Sequence, residues 1–433
     1  MQEIPDSQKR QKALLVGVSL PRILPWEAED SLDELSRLTH TAMLEEVDRV
    51  LQMRDRINPT YYIGKGKAEE VKSLARDKGA DVIVFDNELS PAQMRNLEKL
   101  TDGRVLDRSA VILDIFARHA RTRTSQLQVE LAQLNYLLPR LTGQWTHLSR
   151  QAGGGAIRGM GGAGVRGPGE TQLETDRRMI RRNIGSLSTK LSKIGTQRKV
   201  VRQRQREAFK VALVGYTNAG KSTLMRALSG AEVLVQDQLF ATLDSTTRAV
   251  DLGHNRKILL TDTVGFIKRL PHHLFASFRS TLEDAVDANL LLHVVDVSHA
   301  HYESHIETVN QVLQDLELEN HPALLVYNKI DQAEQGAETV IDNCRDEDDV
   351  VAVSAMQGIG LDELRRHIFQ LCLESAVTLD LQIPQREGRL LAQLHEQGEV
   401  LETHYEDNDV RLRVRLDKVW AERWQLERFE AAL

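Results

Sequence analysis

Short apolar runs and longer amphipathic stretches follow one another along the chain, the pattern of an α/β protein. Residues 13–20 and 81–86 are strand-length apolar runs. Residues 31–56 read as one long amphipathic helix, with Leu35, Leu38, Met43, Leu44, Val47 and Leu51 on its apolar side. Ser90-Pro91 opens a further helix, because serine caps well and proline suits the first helical position. Leu127, Leu131, Leu134 and Leu138 then mark a narrow stripe of coiled-coil type. A second stripe runs through 171–206 on Leu173, Ile180, Ile184, Leu187, Leu191 and Ile194, and the two predict an antiparallel helical hairpin. Beyond it come buried strands at 211–214, 258–261, 323–327 and 350–353, with 248–252 and 257–261 forming a β-hairpin around Gly253. Near the end, Val377, Leu379, Leu381 and Ile383 alternate at strand period, as does 411–416. A closing helix is expected at 419–433, its Trp420, Trp424 and Phe429 serving as core.

Four of these strands end in groups with chemistry. The first runs into Gly215-Tyr216-Thr217-Asn218-Ala219-Gly220-Lys221-Ser222, and a helix follows. Strand, glycine loop and helix in that order make a phosphate cradle, because backbone N–H groups wrap the anion and the helix N-terminus favours it. Lys221 would bridge the β- and γ-phosphates, and the Ser222 hydroxyl would sit on Mg²⁺. The second strand ends in Asp262-Thr263-Val264-Gly265, where Asp262 would hold a Mg²⁺-bound water and the Gly265 N–H would meet the γ-phosphate. The third ends in Asn328-Lys329-Ile330-Asp331; the Asp331 carboxylate can accept from guanine's N1–H and exocyclic amine, a pair adenine lacks. The fourth ends in Ser354-Ala355-Met356, suited to covering the base. A switch loop with a Mg²⁺-binding Thr must lie between Ser222 and Asp262. Thr242, in Phe240-Ala241-Thr242-Leu243-Asp244, is preferred to Thr246 or Thr247, because Thr247 opens a strand and is less free to swing. The expected domain is a guanine-nucleotide domain at 207–372, using GTP or GDP with Mg²⁺.

A chain of 433 residues allows two to four domains. The others expected are an N-terminal α/β domain at 1–108, the hairpin at 109–206 and a small α/β domain at 376–433. Cys344 and Cys372 are too far apart for a Cys-x-x-Cys site and read as idle thiols of a reducing compartment. No signal peptide pattern opens the chain and no run reaches about 18 apolar residues, so a cytoplasmic protein without a membrane span is expected. It would work as a monomer. The net charge of −7 hides an asymmetry: residues 150–210 carry fifteen Lys or Arg against four Asp or Glu, a net of +11. Within that segment, 153–169 is glycine-rich and builds no core. Concentrated positive charge joined to a loop whose backbone can approach closely predicts contact with RNA. Gly64-Lys65-Gly66-Lys67 reads instead as a tight turn with solvated lysines, since no partner motif accompanies it.

The order of the nucleotide motifs and the glycine loop inside a basic hairpin resemble the HflX family of ribosome-associated GTPases, relatives of the Obg group. The likeness spans nearly the whole chain. It implies binding to the large ribosomal subunit and its RNA, and separation of stalled or idle ribosomes into subunits under stress. Asn218 stands where potassium-activated relatives carry a cation-coordinating Asn; it serves either K⁺ or simply the turn. Lys221, Asn218, Thr242 and Gly265 are the catalytic candidates. Phe266 occupies the place of a water-orienting Gln, so hydrolysis is expected to be slow until a partner assists. The competing reading is a GTP-switched regulator of a protein partner, with the glycine loop a lid.

Overall fold

The computed structural model describes residues 10–21, 23–142, 168–204, 209–230, 239–240, 243–253, 256–268, 284–334, 336–344, 349–374, 376–406, 408–417, 421 and 424–430. The chain divides into two compact units, one of Met1–Gly195 with Asp237–Leu243 and Lys268–Arg279, the other of the remainder.

The first unit holds a four-stranded parallel sheet in the order β2-β1-β3-β4. Its strands are β1 Gln11–Ser19, β2 Leu44–Met53, β3 Val82–Phe85 and β4 Arg104–Asp107. Helices α1 Pro25–Thr41, α2 Lys65–Lys78, α3 Pro91–Thr101, α4 Arg108–His119 and α5 Arg123–Leu137 belong to the same unit. Ser90 caps α3 as expected, its side chain accepting the Gln93 N–H and its own N–H donating to the Gln93 side chain. Gly64 likewise begins α2, and its N–H donates to Gln52 Oε1 at 3.0 Å.

The long helix expected at 31–56 is corrected. It starts at Pro25 and stops at Thr41; Met43 turns the chain with φ 63°, and 44–53 is strand β2. Leu44, Val47 and Leu51 stand three and four apart, a helical spacing, and strand β2 carries them only through a register shift at Val47, opposite Ala13/Leu14. Pairing overrides the spacing. The last seven residues of β1 are all buried, and β1 takes β2 along its whole length on one side and β3 on the other.

Helix α6, Pro168–Arg204, carries the second stripe. Leu187 is buried and Ile180, Ile184, Leu191 and Ile194 are half-buried, while Arg178, Arg181, Arg182, Lys190 and Lys193 are exposed. Leu127, Leu131 and Leu134 of the first stripe lie on α5, with Leu138 in the 3₁₀ turn that follows it, and the second stripe lies on α6. Residues 153–167 of the glycine loop lie outside the described residues.

The second unit contains a six-stranded sheet in the order β10-β9-β8-β5-β7-β6. The strands are β5 Phe209–Gly215, β6 Thr246–Gly253, β7 Arg256–Asp262, β8 Leu290–Asp296, β9 Ala323–Asn328 and β10 Val350–Ala352. All pairs are parallel except the β6–β7 hairpin, which the sequence had placed around Gly253. Strand β8 was not foreseen. It lies between β5 and β9, and Leu290, Leu292 and Val294 join the core of Val211, Leu213, Leu224, Leu260 and Val326. Helices α7 Lys221–Ser229, α8 Tyr302–Asp315, α9 Ala337–Cys344 and α10 Leu361–Glu374 complete this part. Because five strands run the same way, their carboxyl ends collect at one edge, where open α/β sheets hold ligands.

The chain then forms an antiparallel sheet, β11 Ala376–Pro384, β12 Glu399–Glu406 and β13 Asp409–Asp417 in the order β11-β13-β12, with helix α11 at Gly388–Gln397. The two alternating runs are β11 and β13, as expected. The closing helix is corrected: its described residues include a 3₁₀ turn at Leu426–Phe429, entered through Gln425 at φ 51°. Glu430 bridges the sheet at Leu381, and such pairing needs extended chain. Trp424 and Phe429 do pack on the core of Leu381, Leu412 and Leu426. Cys344 and Cys372 are free, buried thiols. No helix among the described residues is long and apolar enough to cross a membrane.

Candidate functional site

The site grows from the end of β5. Gly215 has φ 150°, and a Cβ there would fall 2.2 Å from the Val294 carbonyl oxygen, so only glycine lets β5 meet β8 at this point. The chain then turns through Asn218 at φ 59° and Gly220 at φ 91° before α7 begins at Lys221. Asparagine tolerates the left-handed region, so the turn alone accounts for its residue type at 218. Lys221 folds back over the loop. Its Nζ donates to Gly215 O at 3.0 Å and Tyr216 O at 2.8 Å, leaving the third ammonium donor for a ligand. Burial lowers its pKa to about 8, opposed by the nearby Asp262 carboxylate. His293, on β8, is pushed down to about 4 by burial and by the Lys221 charge, so a neutral imidazole lies near the ammonium at neutral pH.

The end of β7 is stitched to this loop. Phe266 N donates to Gly215 O at 3.1 Å, and Thr217 N donates to Phe266 O at 2.7 Å. Thr263 Oγ1 donates to Leu213 O at 2.6 Å, and Ser222 Oγ donates to Asp262 Oδ2 at 2.6 Å. A Cβ on Gly265 would come within 2.7 Å of Thr217 Cα and 3.0 Å of Lys221 Nζ, so that position admits no side chain without a shift. Val264 and Phe266 are buried, Phe266 to 3 % exposure.

The ends of β9 and β10 close the other side. Asn328 Nδ2 donates to Ala219 O at 2.8 Å, and Asn328 Oδ1 accepts the Ala355 N–H at 3.0 Å. One side-chain amide therefore ties the phosphate loop to the 354–356 segment. Ser354 and Ala355 are buried while Met356 lies open at the surface. Lys329 has φ 62° and its Nζ donates to Asp296 Oδ2 at 2.6 Å. Ile330 is fully buried and anchors the 3₁₀ turn Ile330–Gln332, on which Asp331 stands half-buried. Asp296 was missed in the sequence, although it ends β8 just as Asp262 ends β7; recognising that strand would have found it.

Within the switch segment, Asp244 is half-buried and belongs to the unit that carries the loop. Phe240 and Leu243 are buried in the other unit, where the Phe240 ring meets Phe116 edge-on at 4.7 Å. Ala241 and Thr242 lie outside the described residues. Thr247 is held in β6, its Oγ1 2.9 Å from Thr261 Oγ1, which supports passing it over.

Gly220 is the most constrained position in the loop. A Cβ would lie 2.2 Å from Asn328 Nδ2 on a backbone that side chains rarely adopt. Gly220→Ala is expected to cost about 2–4 kcal/mol, combining backbone strain with the displaced Asn328 bond. A lowered unfolding midpoint together with lost GDP binding in a titration would bear this out; an unchanged midpoint would contradict it.

Comparison with known proteins agrees with the geometry. Residues 29–117 match a family model described as the N-terminal part of a GTP-binding GTPase, and 119–205 match one described as its middle region. Residues 210–329 match a model described as a 50S ribosome-binding GTPase. The chain is 44% identical over 401 residues to the GTPase HflX of Magnetococcus marinus, covering 91% of this chain and 90% of that protein. With the GTPase HflX of Escherichia coli it shares 42% identity over 391 residues, covering 89% and 90%. A solved structure of a GTP-binding protein from Sulfolobus solfataricus in complex with GDP aligns with a TM-score of 0.44 at 23% identity, over 83% of this chain and 98% of that one.

Proposed function

This chain belongs to the HflX family of GTPases and hydrolyses GTP, and from that premise we propose that it acts on the large ribosomal subunit, separating stalled or idle ribosomes into subunits under stress. Charge is the observation that carries the ribosomal part. Helix α6 exposes Arg178, Arg181, Arg182, Lys190 and Lys193, in a segment of net +11 on a chain of net −7. Such a footprint suits a phosphate backbone. The family model matched by 210–329, that of a 50S ribosome-binding GTPase, points the same way. The working parts in this reading are an N-terminal α/β domain at 1–108, a basic hairpin at 109–206, the GTPase domain at 207–372 and a small domain at 376–433.

In the GTPase domain, residues 215–222 wrap the phosphates and Lys221 bridges the β- and γ-positions with its remaining donor. Gly265 N–H meets the γ-phosphate, Asp331 reads the guanine edge, and 354–356 cover the base. Ser222 Oγ and Asp262 Oδ2, 2.6 Å apart, are the hard oxygen donors that suit Mg²⁺, a small cation that keeps most of its waters. Ser222 and Thr242 would bind the ion directly and Asp262 through water; when bound, it neutralises charge on the β- and γ-oxygens. The Phe266 ring is buried and has no hydrogen-bonding group, so nothing at that position orients the attacking water. The ribosome completes the site.

Co-sedimentation with purified ribosomal subunits tests this reading. The protein is expected to pellet with large subunits in a non-hydrolysable GTP analogue more than in GDP, and to be released steeply as salt rises. Equal recovery in all nucleotide states, or binding that salt leaves unchanged, would contradict it.

A further inference from the structure

Tyr216 is the one large aromatic side chain in the phosphate loop, and the phosphate cradle described above gives its ring no role. Its main chain is busy: the carbonyl holds Lys221 Nζ at 2.8 Å, and the residue pairs with Phe266 in a parallel bridge. The residue is 6 % exposed, and its ring lies flat against the His305 imidazole of α8, with centroids 3.9 Å apart and planes 5° from parallel. Behind His305 stands His299, its ring 4.4 Å away and tilted by 42°. His299 is itself held, since its Nδ1 accepts the His301 N–H at 3.2 Å at the start of α8. The helix packs against β5 and β8, and its Val309 and Leu313 are buried. A column of rings thus runs from α8 to the residue whose carbonyl presents the lysine.

We propose that His305 is a positioning residue for nucleotide binding, which by stacking on Tyr216 holds the phosphate loop and Lys221 in the binding shape before GTP arrives. The loop needs such a brace. It passes through two left-handed residues, Asn218 and Gly220, and a loop ordered only on binding would spend affinity on its own ordering. Flat stacking is specific to a planar ring and adds to what burial alone supplies. The inference rests on the reading of 215–222 as the phosphate cradle.

The test measures GDP affinity, GDP dissociation rate and unfolding midpoint for His305→Ala, His305→Phe, His305→Leu, Tyr216→Ala, the Tyr216→Ala/His305→Ala pair and Lys221→Ala. His305→Ala is expected to weaken GDP about two- to tenfold, chiefly by faster dissociation. Phenylalanine, a flat ring, should restore affinity, and leucine, apolar but not flat, should not. The double variant should bind no worse than Tyr216→Ala alone, because one contact is lost in both. A lowered midpoint with unchanged affinity in His305→Ala, or equal rescue by Leu and Phe, would overturn the proposal. If the alanine variant does not fold, the comparison of Phe with Leu decides it. Wild-type GDP affinity in Lys221→Ala would instead overturn the cradle itself, which separates the two failures.

Discussion

Asp331→Asn is expected to lose GTP and gain xanthosine triphosphate. The carboxylate accepts two donors from guanine, and a charge-assisted pair of that kind exceeds ordinary hydrogen bonds. An amide at 331 would set an N–H₂ against guanine's amine, leaving buried donors opposed, while xanthine offers a carbonyl oxygen there. A site built to hydrogen-bond one partner rejects the wrong one strongly, so GTP affinity should fall about 10²- to 10⁴-fold. The presentation of Asp331 is rigid enough for such discrimination. Lys329 is pinned to Asp296 and Ile330 is fully buried, so the residue between them and the solvent has little room to re-aim. Titration with guanine and xanthine nucleotides measures both halves of the exchange, and unchanged GTP affinity would remove Asp331 from the base site.

Deleting residues 153–169 should leave GTP binding intact and abolish the effect of the ribosome. The groups assigned to the nucleotide come from the ends of β5, β7, β9 and β10, none of which includes that loop. A partner that supplies the missing transition-state group contributes about 10³–10⁵ in rate, and that stimulation is what the deletion should lose. Equal GDP affinity in wild type and deletion, with stimulated turnover only in wild type, is the expected pair of results. Wild-type stimulation in the deletion variant would favour a switch that works on a protein partner, with the loop as a lid.

What could be read from the sequence was what backbone geometry dictates. Gly215, Gly220 and Gly265 each stand where a Cβ would collide with a neighbour, so their spacing exposed the phosphate loop and the strand that meets it. Asp262, Asn328 and Asp331 were legible because apolar strands deliver them in a fixed order. What pairing decides stayed hidden. Leu44, Val47 and Leu51 carry a helical spacing, and pairing with the neighbour β1, through a register shift at Val47, makes the segment a strand. The C-terminal residues around Leu426 were pulled from helix by their contact with the small sheet. Asp296 and His305 belong to no motif; the sheet register and α8 bring them to Lys329 and Tyr216. Asn328 was read as a member of the base site from its place at a strand end, and its tie between Ala219 and Ala355 shows only in three dimensions.

The decisive measurement is the rate of GTP hydrolysis by the full chain, alone and with purified large ribosomal subunits, at low and at raised salt. Phe266 leaves the attacking water without a guide, so turnover should be slow alone, rise by at least about 10²-fold with subunits, and lose that gain as salt weakens the RNA contact. Fast turnover by the isolated protein, unchanged when large subunits are added, would contradict it.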